Sequence, residues 1–467
     1  MRKTTWLWTL LLMGGMAHAQ TPGAGTLTVP PAVLTPAVAA GSPGTLDLST
    51  AESEAVQHSP NYQKAVNYEK ETSWGQVEAI SEGFLPHLSI GGKYFFENQY
   101  AQENVSFSPS SPLEPFLQNF PIASLSLDAS FDLFDGLRNI HKLDAANNVH
   151  ESAKLLSDWA SFELQEQVRL AFYKAQAAKE LSDMSDQNVK TLEDHQRIVK
   201  DQLDNGQATQ YDLLRVEVQL SEAKSDQISA HDNVVLAREA LGQVMGLTND
   251  ERALSGDLPV LNADAILANI TQVDFENRPD LKAKELQANA AGDNSAASDS
   301  FWVPKVALIG EYEWYDAQNY SLGADPPVFN TGNFNSSYFI GASASWDLLD
   351  GGLSWAKSNE AHEKANEAKD DFNGAKLQAP YEFDLWKRRL VSKVSLYQAK
   401  LTDIDKAKES ARLATLGFKA GTRTTTDVLD AELEEFRAEA GLVQAQVDAL
   451  EALINLETTV GKRVSHE

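Results

Sequence analysis

Two carboxylates near the end of the chain have a spacing that suits electrostatic selection of ions. Asp427 and Asp430 are three residues apart in helix-like sequence, so they lie on one face of a helix. Carboxylates gathered in this way attract cations and repel anions. A second interpretation stays open for Asp427, because it follows Thr424 and acidic residues favour the first turn of a helix. The pattern therefore indicates ion selection or helix capping, and not catalysis.

Residue types that perform catalysis or bind cofactors form no recognisable motif in this chain. There is no cysteine, which excludes disulfides and thiolate metal sites. His362 beside Glu363, and His195 after Asp194, lie in polar helical sequence that is typical of a solvated face. Neither a Gly-rich phosphate loop nor a nucleophile motif is visible. The net charge of −28 opposes nucleic-acid binding. We therefore expect no enzyme, no cofactor, no metal site and no nucleic-acid partner.

The first 19 residues have the composition of a secretory signal. Arg2 and Lys3 precede an apolar run at residues 6–13, and the segment ends in small residues at 17–19. A membrane-anchoring helix is the alternative, but this run is far shorter than the ~20 residues that span a bilayer. We predict a signal peptide at 1–19 and a flexible Pro/Ala-rich lead-in at 20–45. Since no later stretch reaches ~18 apolar residues, membrane insertion would require strands.

The remainder of the chain contains one pattern twice. The Phe-Asp-Gly at 134–136 recurs as Leu-Asp-Gly at 349–351, and the run 206–214 recurs at 421–429, in both cases 215 residues later. Because neither copy gains or loses a residue between these points, the pattern indicates an internal duplication. We predict a first repeat at 46–247, a connecting segment at 248–275, a second repeat at 276–461 and a short tail at 462–467.

Each copy contains two runs in which apolar and polar residues alternate, and the runs 124–133 and 340–348 agree position by position. A period of two is typical of strands with one apolar and one polar face. A soluble β-sandwich would alternate too, but these runs are about ten residues long and have aromatic residues at their ends, as strands of membrane β-barrels do. We predict a lipid-facing set of Leu125, Leu127, Phe131, Leu133, Ile340 and Trp346, and a pore-facing set of Asp128, Asp132 and Asp347.

Four strands are too few to close a barrel, since about eight is the smallest number whose interior fills with side chains. Three chains would supply twelve strands around a water-filled pore. Few helix breakers occur between 136 and 206, which predicts a helix of roughly 105 Å at ~1.5 Å per residue. Apolar residues at heptad spacing over 429–454 predict coiled-coil packing, and Pro380 is expected to interrupt and kink a long helix. The predicted fold is an α+β membrane protein, a trimeric twelve-stranded β-barrel continued into a long α-helical coiled-coil barrel.

At these residues the chain resembles the outer-membrane efflux protein family, of the TolC type. The resemblance rests on the residues at 46–51, 84–86 and 134–136 and above all on the run 421–431, and it covers residues 46–462. It implies a homotrimer in the bacterial outer membrane, in contact with its lipid, with a large periplasmic tunnel that opens when an inner-membrane transporter and a periplasmic adaptor dock. It also implies an equatorial belt near 248–275 and 461–467.

The resemblance further implies that the helix-hairpin tips hold a gate, at positions matching Asp212, Phe418, Arg423, Asp427 and Asp430. Phe418 stands where this family often has tyrosine, which removes a hydroxyl donor. Threefold symmetry would repeat Asp427 and Asp430 as a ring of six carboxylates, and Arg423 is expected to reduce their repulsion and tie neighbouring hairpins together. The expected function is a passive exit duct of a tripartite efflux or type I secretion system. A periplasmic coiled-coil scaffold or adaptor without a pore is the alternative.

Overall fold

The computed structural model describes residues 44–94, 121–248, 250–262, 275–317 and 336–464, without the side chains of 121, 122, 276 and 315–317. The described elements belong to one unit, Thr45–Glu467. The predicted signal peptide and the lead-in up to residue 43 lie outside the described residues. So do residues 249 and 263–274 of the predicted connecting segment and 465–467 of the predicted tail.

Long helices make up most of the described structure. The first copy contains α1 (Leu48–His58), α2 (Pro60–Phe84), α3 (Arg138–Asp204) and α4 (Gln210–Met245), and the second contains α5 (Pro279–Asp299), α6 (Leu353–Lys419) and α7 (Thr425–Val460). Helices α3 and α6 have 67 residues each, and α4 and α7 have 36 each. The duplication seen in the sequence is thus repeated in the lengths of the helices. None of the described helices has a stretch long and apolar enough to cross a membrane.

The repeated Asp-Gly motif begins the two longest helices. Asp135 accepts a hydrogen bond from the backbone N–H of Asn139 at 2.8 Å, and Asp350 accepts one from Ser354 at the same distance. The glycine after each aspartate has a positive φ, 76° and 71° respectively, which glycine adopts without steric cost. The motif therefore forms the turn that precedes each long helix and satisfies the first free N–H groups of that helix.

Helix α6 runs unbroken from Leu353 to Lys419 through Pro380. The expected interruption at this proline is therefore wrong. A proline removes one backbone N–H from the helix interior but need not end a helix whose other hydrogen bonds and packing remain. Ala379, directly before it, is buried.

Four antiparallel strands form one sheet in the order β2 (His87–Tyr94), β3 (Pro121–Phe134), β5 (Lys305–Ala317) and β6 (Ser336–Ser345). The short strands β1 (Thr45–Leu46) and β4 (Ala253–Leu254) pair separately and in parallel. The helices that adjoin the sheet pack in the matching order, with α2 on α3, α3 on α5 and α5 on α6. Within the described chain, β2 and β6 each pair on one side only, so the sheet has two open edges.

The pairing register places apolar side chains in rows across the sheet. Leu127 lies opposite Ile90 on one side and Tyr312 on the other, in a row that ends at Tyr338. The neighbouring row contains Asp128 opposite Glu311 and therefore belongs to the other face. Because all four strands follow one alternation, the sheet has an apolar face and a mainly polar face.

Strand β6 ends at Ser345, three residues before the end of the predicted run 340–348. Trp346 and Asp347 follow it outside regular structure, so alternation along a strand does not determine which way they face. The assignment of Trp346 to lipid and of Asp347 to the pore therefore loses its basis. Ile340 stays within β6, in the apolar row that contains Ala129 and Gly310.

The main hydrophobic core lies about halfway along the long helices, where α1, α3, α4, α6 and α7 meet. Phe172, Leu450 and Leu453 are among its fully buried side chains. The predicted heptad seam of α7 is confirmed: its residues Leu429, Val443, Val447, Leu450 and Ile454 are buried, and Leu433, Phe436 and Ala440 are partly buried. This core fixes the helices whose far ends carry the candidate site.

Candidate functional site

The two helical hairpins end in tips of the same geometry. Tip 1 joins α3 to α4 through residues 205–209, and tip 2 joins α6 to α7 through residues 420–424. Each contains a glycine with positive φ, Gly206 at 75° and Gly421 at 73°. These glycines close the outgoing helices, since this left-handed conformation is strained for other residues.

Both returning helices begin with a capping box. At tip 2 the carboxylate of Asp427 accepts hydrogen bonds from the backbone N–H and the hydroxyl of Thr424, both at 2.9 Å, and the N–H of Asp427 donates back to that hydroxyl at 3.2 Å. At tip 1, Thr209 and Asp212 form the same arrangement at 2.9, 2.7 and 3.2 Å. The capping interpretation of Asp427 is therefore confirmed, and Asp212 has the same structural role.

These hydrogen bonds favour the charged carboxylates. The backbone N–H and then the hydroxyl of Thr424 hold the pKa of Asp427 below its ordinary value, and the charge of Arg423 adds a smaller effect. For Asp212 the hydroxyl of Thr209 is the main cause of a lowered pKa, followed by the backbone N–H of the same residue. Both aspartates thus remain ionised at neutral pH while one of their oxygens is engaged within its own tip.

Asp430 has a different partner, in the other hairpin. Its carboxylate accepts from the Arg215 guanidinium at 3.0 Å, and the same guanidinium donates to the Thr426 hydroxyl at 3.1 Å. Arg215 belongs to α4 and Asp430 to α7, so the pair connects the two hairpins of one chain. We did not predict Arg215, although its position in the first repeat corresponds to that of Asp430 in the second. The opposite charges at these two equivalent positions are the feature of the sequence that could have predicted the pair.

Arg423, which was expected to tie hairpins together, packs back on its own hairpin. A Cβ added to Gly417 would lie 2.6 Å from Cγ of Arg423, so the arginine stem covers the end of α6. Among the described residues Arg423 makes no ion pair, and its side chain is exposed. Phe418, the residue after Gly417, is partly buried. Within one chain the tie between hairpins is therefore made by Arg215.

An apolar contact lies next to the Arg215 pair. Leu429 of α7 is 1% exposed and belongs to a cluster otherwise formed by α3 and α4, with Val189, Val199 and Val216 among its members. One helical turn further along α7, the Glu432 carboxylate accepts a hydrogen bond from His195 Nε2 at 2.9 Å. The first turns of α7 are thus held on the first hairpin by one buried leucine with polar contacts around it.

A second polar cluster, which we did not predict, lies in the main core. Arg169 contacts Glu457 at 2.6 Å and Glu166 at 3.3 Å, while Arg463 contacts Glu166 at 2.7 Å and Glu52 at 2.5 Å. We call these five residues the buried charge network. It joins α1, α3 and α7 to the predicted C-terminal tail, which contains Arg463. Burial raises the pKa of Glu166, an effect that its arginine partners only partly offset.

His362 and His195, which lie in polar helical sequence, connect helices. His362 lies 2.8 Å from the Ser295 hydroxyl and 3.2 Å from Asp299, and so joins α6 to α5. His195 joins α3 to α7 as described above. In the part of the chain that the structure describes, no group of three or more His, Asp or Glu side chains is arranged to hold a metal ion.

Comparisons with known proteins agree on one family. The model of the family described as outer membrane efflux protein matches residues 52–247 and 272–462. The chain is 22% identical over 346 residues to the outer membrane efflux protein BepC of Brucella suis, covering 72% of this chain and 71% of BepC. It is 21% identical over 257 residues to the outer membrane protein TolC of Vibrio cholerae, covering 54% of this chain and only 56% of TolC.

Solved structures support the same fold. The crystal structure of the outer membrane protein VceC from Vibrio cholerae superposes with a TM-score of 0.71 at 19% identity, covering 90% of this chain and 97% of VceC. At this level of identity the likeness establishes the arrangement of helices and strands and leaves the function of individual residues open.

Proposed function

The chain belongs to the outer membrane efflux protein family, and from this premise we propose that it is the exit duct of a tripartite efflux or type I secretion system. Its location is the bacterial outer membrane, with a helical part in the periplasm, and its family consists of transport proteins. In the proposal the duct is a passive path that does no chemistry. An inner-membrane transporter supplies the energy, and a periplasmic adaptor connects that transporter to the tips.

One observation supports the pore above all others: a four-stranded antiparallel sheet with one apolar face and two open edges. Such a sheet cannot close by itself, and its free strand edges need partners in a membrane. The helices next to the sheet form a row in the order α2, α3, α5 and α6. The outermost helices of this row, α2 and α6, are next along the chain to the outermost strands of the sheet, β2 and β6. Three copies joined edge to edge would close a twelve-stranded barrel and a helical tunnel together.

In this assembly the apolar rows of the sheet contact lipid, and the polar rows line the pore. Leu125 and Leu133, half exposed in the single chain, would then be covered by lipid, together with Leu127, Phe131 and Ile340. Asp128 and Asp132 would face water inside the barrel, where charged side chains are tolerated.

We place the gate at the two tips. The closed state is held where α7 meets the first hairpin, through Leu429 and through the Arg215 contacts to Asp430 and Thr426. Opening would move the first turns of α7 away from this hairpin. Threefold symmetry would bring Asp430 of each chain towards the axis, with Asp427 and Asp212 stiffening the tips from their capping boxes and Phe418 and Arg423 adjoining them.

Single-channel conductance in planar bilayers tests the proposal. The parent protein should sediment with outer membranes, require detergent for extraction and form pores that are blocked by multivalent cations added on the tip side. Asp427→Ala/Asp430→Ala should weaken this block, and Arg423→Ser should raise the conductance of the closed state only if Arg423 also contacts a neighbouring chain. Glu193→Ala/Asp194→Ala, which removes two exposed carboxylates from α3, serves as the control. A protein that extracts without detergent and forms no pores would refute the proposal.

A further inference from the structure

A second charged site lies at the other end of the helices, where they join the sheet. A cavity of about 710 Å³ opens between the start of α3, the end of α5, the beginning of β5 and the start of α6. Five cationic side chains line it: Arg138, Lys142, Lys305, Lys357 and Lys364. This concentration is unusual in a chain in which 67 acidic residues outnumber 39 lysines and arginines.

Among the described residues, most of the cations that line this cavity make no ion pair. Asp347 and Glu360 are the acidic residues in its lining. Glu360 already pairs with Lys364 at 2.6 Å, and Lys142 pairs with Glu82 outside the lining at 2.9 Å. In the described part of the chain, the other three cations, Arg138, Lys305 and Lys357, make no ion pair.

Gathering these cations costs energy, because like charges repel one another across a cavity. Five neutral hydrogen-bonding side chains also line the space: Asn294, Ser298, Ser300, Ser345 and Ser354. Guanidinium, ammonium and hydroxyl donors that converge on one cavity form the donor set that proteins use for oxyanions. Lys305 lies on the same face of the sheet as Glu311, so the cavity opens at the end of the polar face.

We propose that this junction cavity binds an oxyanionic group, of the phosphate or sulfate class, between Arg138, Lys305 and Lys357. The group comes either from a soluble anion or from an anionic lipid headgroup, since both present the same oxygens to the same donors. The inference goes beyond the exit-duct proposal, because binding at this cavity does not require the protein to form an open pore.

Calorimetric titration of the detergent-purified protein with inorganic phosphate at low ionic strength tests the soluble source. The triple variant Arg138→Gln/Lys305→Gln/Lys357→Gln should bind phosphate on the order of tenfold more weakly than the parent. The control Lys190→Gln/Lys200→Gln/Lys406→Gln removes the same charge from exposed positions elsewhere on α3 and α6 and should bind as the parent does. Lys305→Gln alone, at an exposed position, should show a smaller loss in the same direction and keeps the test valid if the triple variant is unstable.

A second arm tests the lipid source. The delipidated protein is incubated with mixed micelles of phosphatidylglycerol and diacylglycerol, and native mass spectrometry then counts the retained lipid. Phosphatidylglycerol retained by the parent and the control, but lost in the triple variant, would identify a headgroup as the ligand. Phosphate binding lost in the triple variant, without lipid retention, would identify a soluble anion. Failure of the parent to bind either probe, or equal losses in the triple variant and the control, would overturn the proposal.

Discussion

Arg215 and Asp430 occupy equivalent positions in two copies of one sequence, yet one is a cation and the other an anion. In two identical copies these positions would hold like charges, which repel at a distance of 3.0 Å. Divergence of a duplicated residue has therefore produced a contact between the copies. The capping residues Thr209 and Thr424, in contrast, are the same in both copies because each acts only within its own helix.

Replacing Arg215 by serine should make the closed channel more conductive, because one change removes the contacts to both Asp430 and Thr426. Arg215 is partly exposed and Asp430 is exposed, so the free energy of unfolding should change by only about 0.2–1 kcal/mol. Conductance in planar bilayers measures the effect. Arg197→Ser is the matched control, since Arg197 pairs with Asp194 at 2.9 Å on its own helix. An equal rise in conductance in both variants would exclude a specific role for Arg215.

The buried charge network should contribute to stability and not to conductance. Arg169→Gln would remove the cation that contacts the buried carboxylate of Glu457 and would leave Glu166 with Arg463 alone. Breaking a buried ion pair in this way costs about 3–5 kcal/mol. Thermal unfolding of the detergent-solubilised protein should show a clear drop in melting temperature. Arg437→Gln, which breaks an exposed pair with Glu434 on one helix, should leave the melting temperature almost unchanged. Similar melting temperatures for both variants would contradict this prediction.

At the scale of elements, the two returning helices α4 and α7 begin in the same way, and their first turns depend on ionised aspartates. A carboxylate whose pKa is lowered by folding stabilises the folded state above the pKa of the unfolded chain and loses that contribution as the pH falls through the folded value. For Asp212 and Asp427 this window lies below 3.8, the ordinary value for aspartate. The tips should therefore be stable at neutral pH and loosen in acid.

Hydrogen exchange followed by mass spectrometry tests this pH dependence. After correction for the intrinsic exchange rate, protection of the first turns of α4 and α7 should fall between pH values of about 6 and 3. In Asp212→Asn/Asp427→Asn the protection should already be low at the higher pH, because an amide replaces the charged acceptor. If the double variant and the parent show the same protection at both values, the capping boxes do not control tip stability.

The next prediction concerns which face of the four-stranded sheet contacts lipid. Leu127→Arg places a charge in an apolar row and should cost about 2–4 kcal/mol if the residue lies near the middle of the bilayer. Ser126→Arg, one residue earlier and on the polar face, should be tolerated. Folding yield into lipid vesicles under urea compares the two variants. Equal destabilisation would mean that the two faces do not separate lipid from water.

At the scale of the whole molecule, the open edges predict how copies assemble. Leu88 of β2 and Ile340 of β6 lie in one row across the sheet, at opposite edges. Because the chain has no cysteine, Leu88→Cys/Ile340→Cys places the only two thiols at these edges. A flexible bismaleimide should then produce cross-linked dimers and trimers and nothing larger, since three four-stranded sheets, one from each chain, close a ring.

Light scattering on the parent in detergent completes this test. A homotrimer is the expected species, of chains that weigh 51.1 kDa before the predicted signal peptide is removed. The control Leu88→Cys alone should give no species beyond a dimer, since one thiol per chain can be linked to only one other chain. A monodisperse monomer, or cross-linked species of more than three chains, would rule out a closed trimer.

The sequence determined the features that depend on local periodicity. The exact offset between the copies predicted helices of equal length, alternation predicted the faces of β2, β3 and β5, and heptad spacing predicted the buried seam of α7. These predictions succeeded because a period of two or of seven is set by backbone geometry, which is the same wherever the element lies.

Tertiary structure decided which distant residues meet. Arg215 and Asp430, or Arg463 and Glu52, become partners only because long helices return beside one another, and no local pattern records that alignment. For Asp427 the sequence allowed a cap, an ion site or both; the distances to Thr424 established the cap, and the ion site stays a prediction. Where β6 ends was also a tertiary matter, because the last residues of an alternating run need a neighbouring strand to hydrogen-bond with before they can form a ladder.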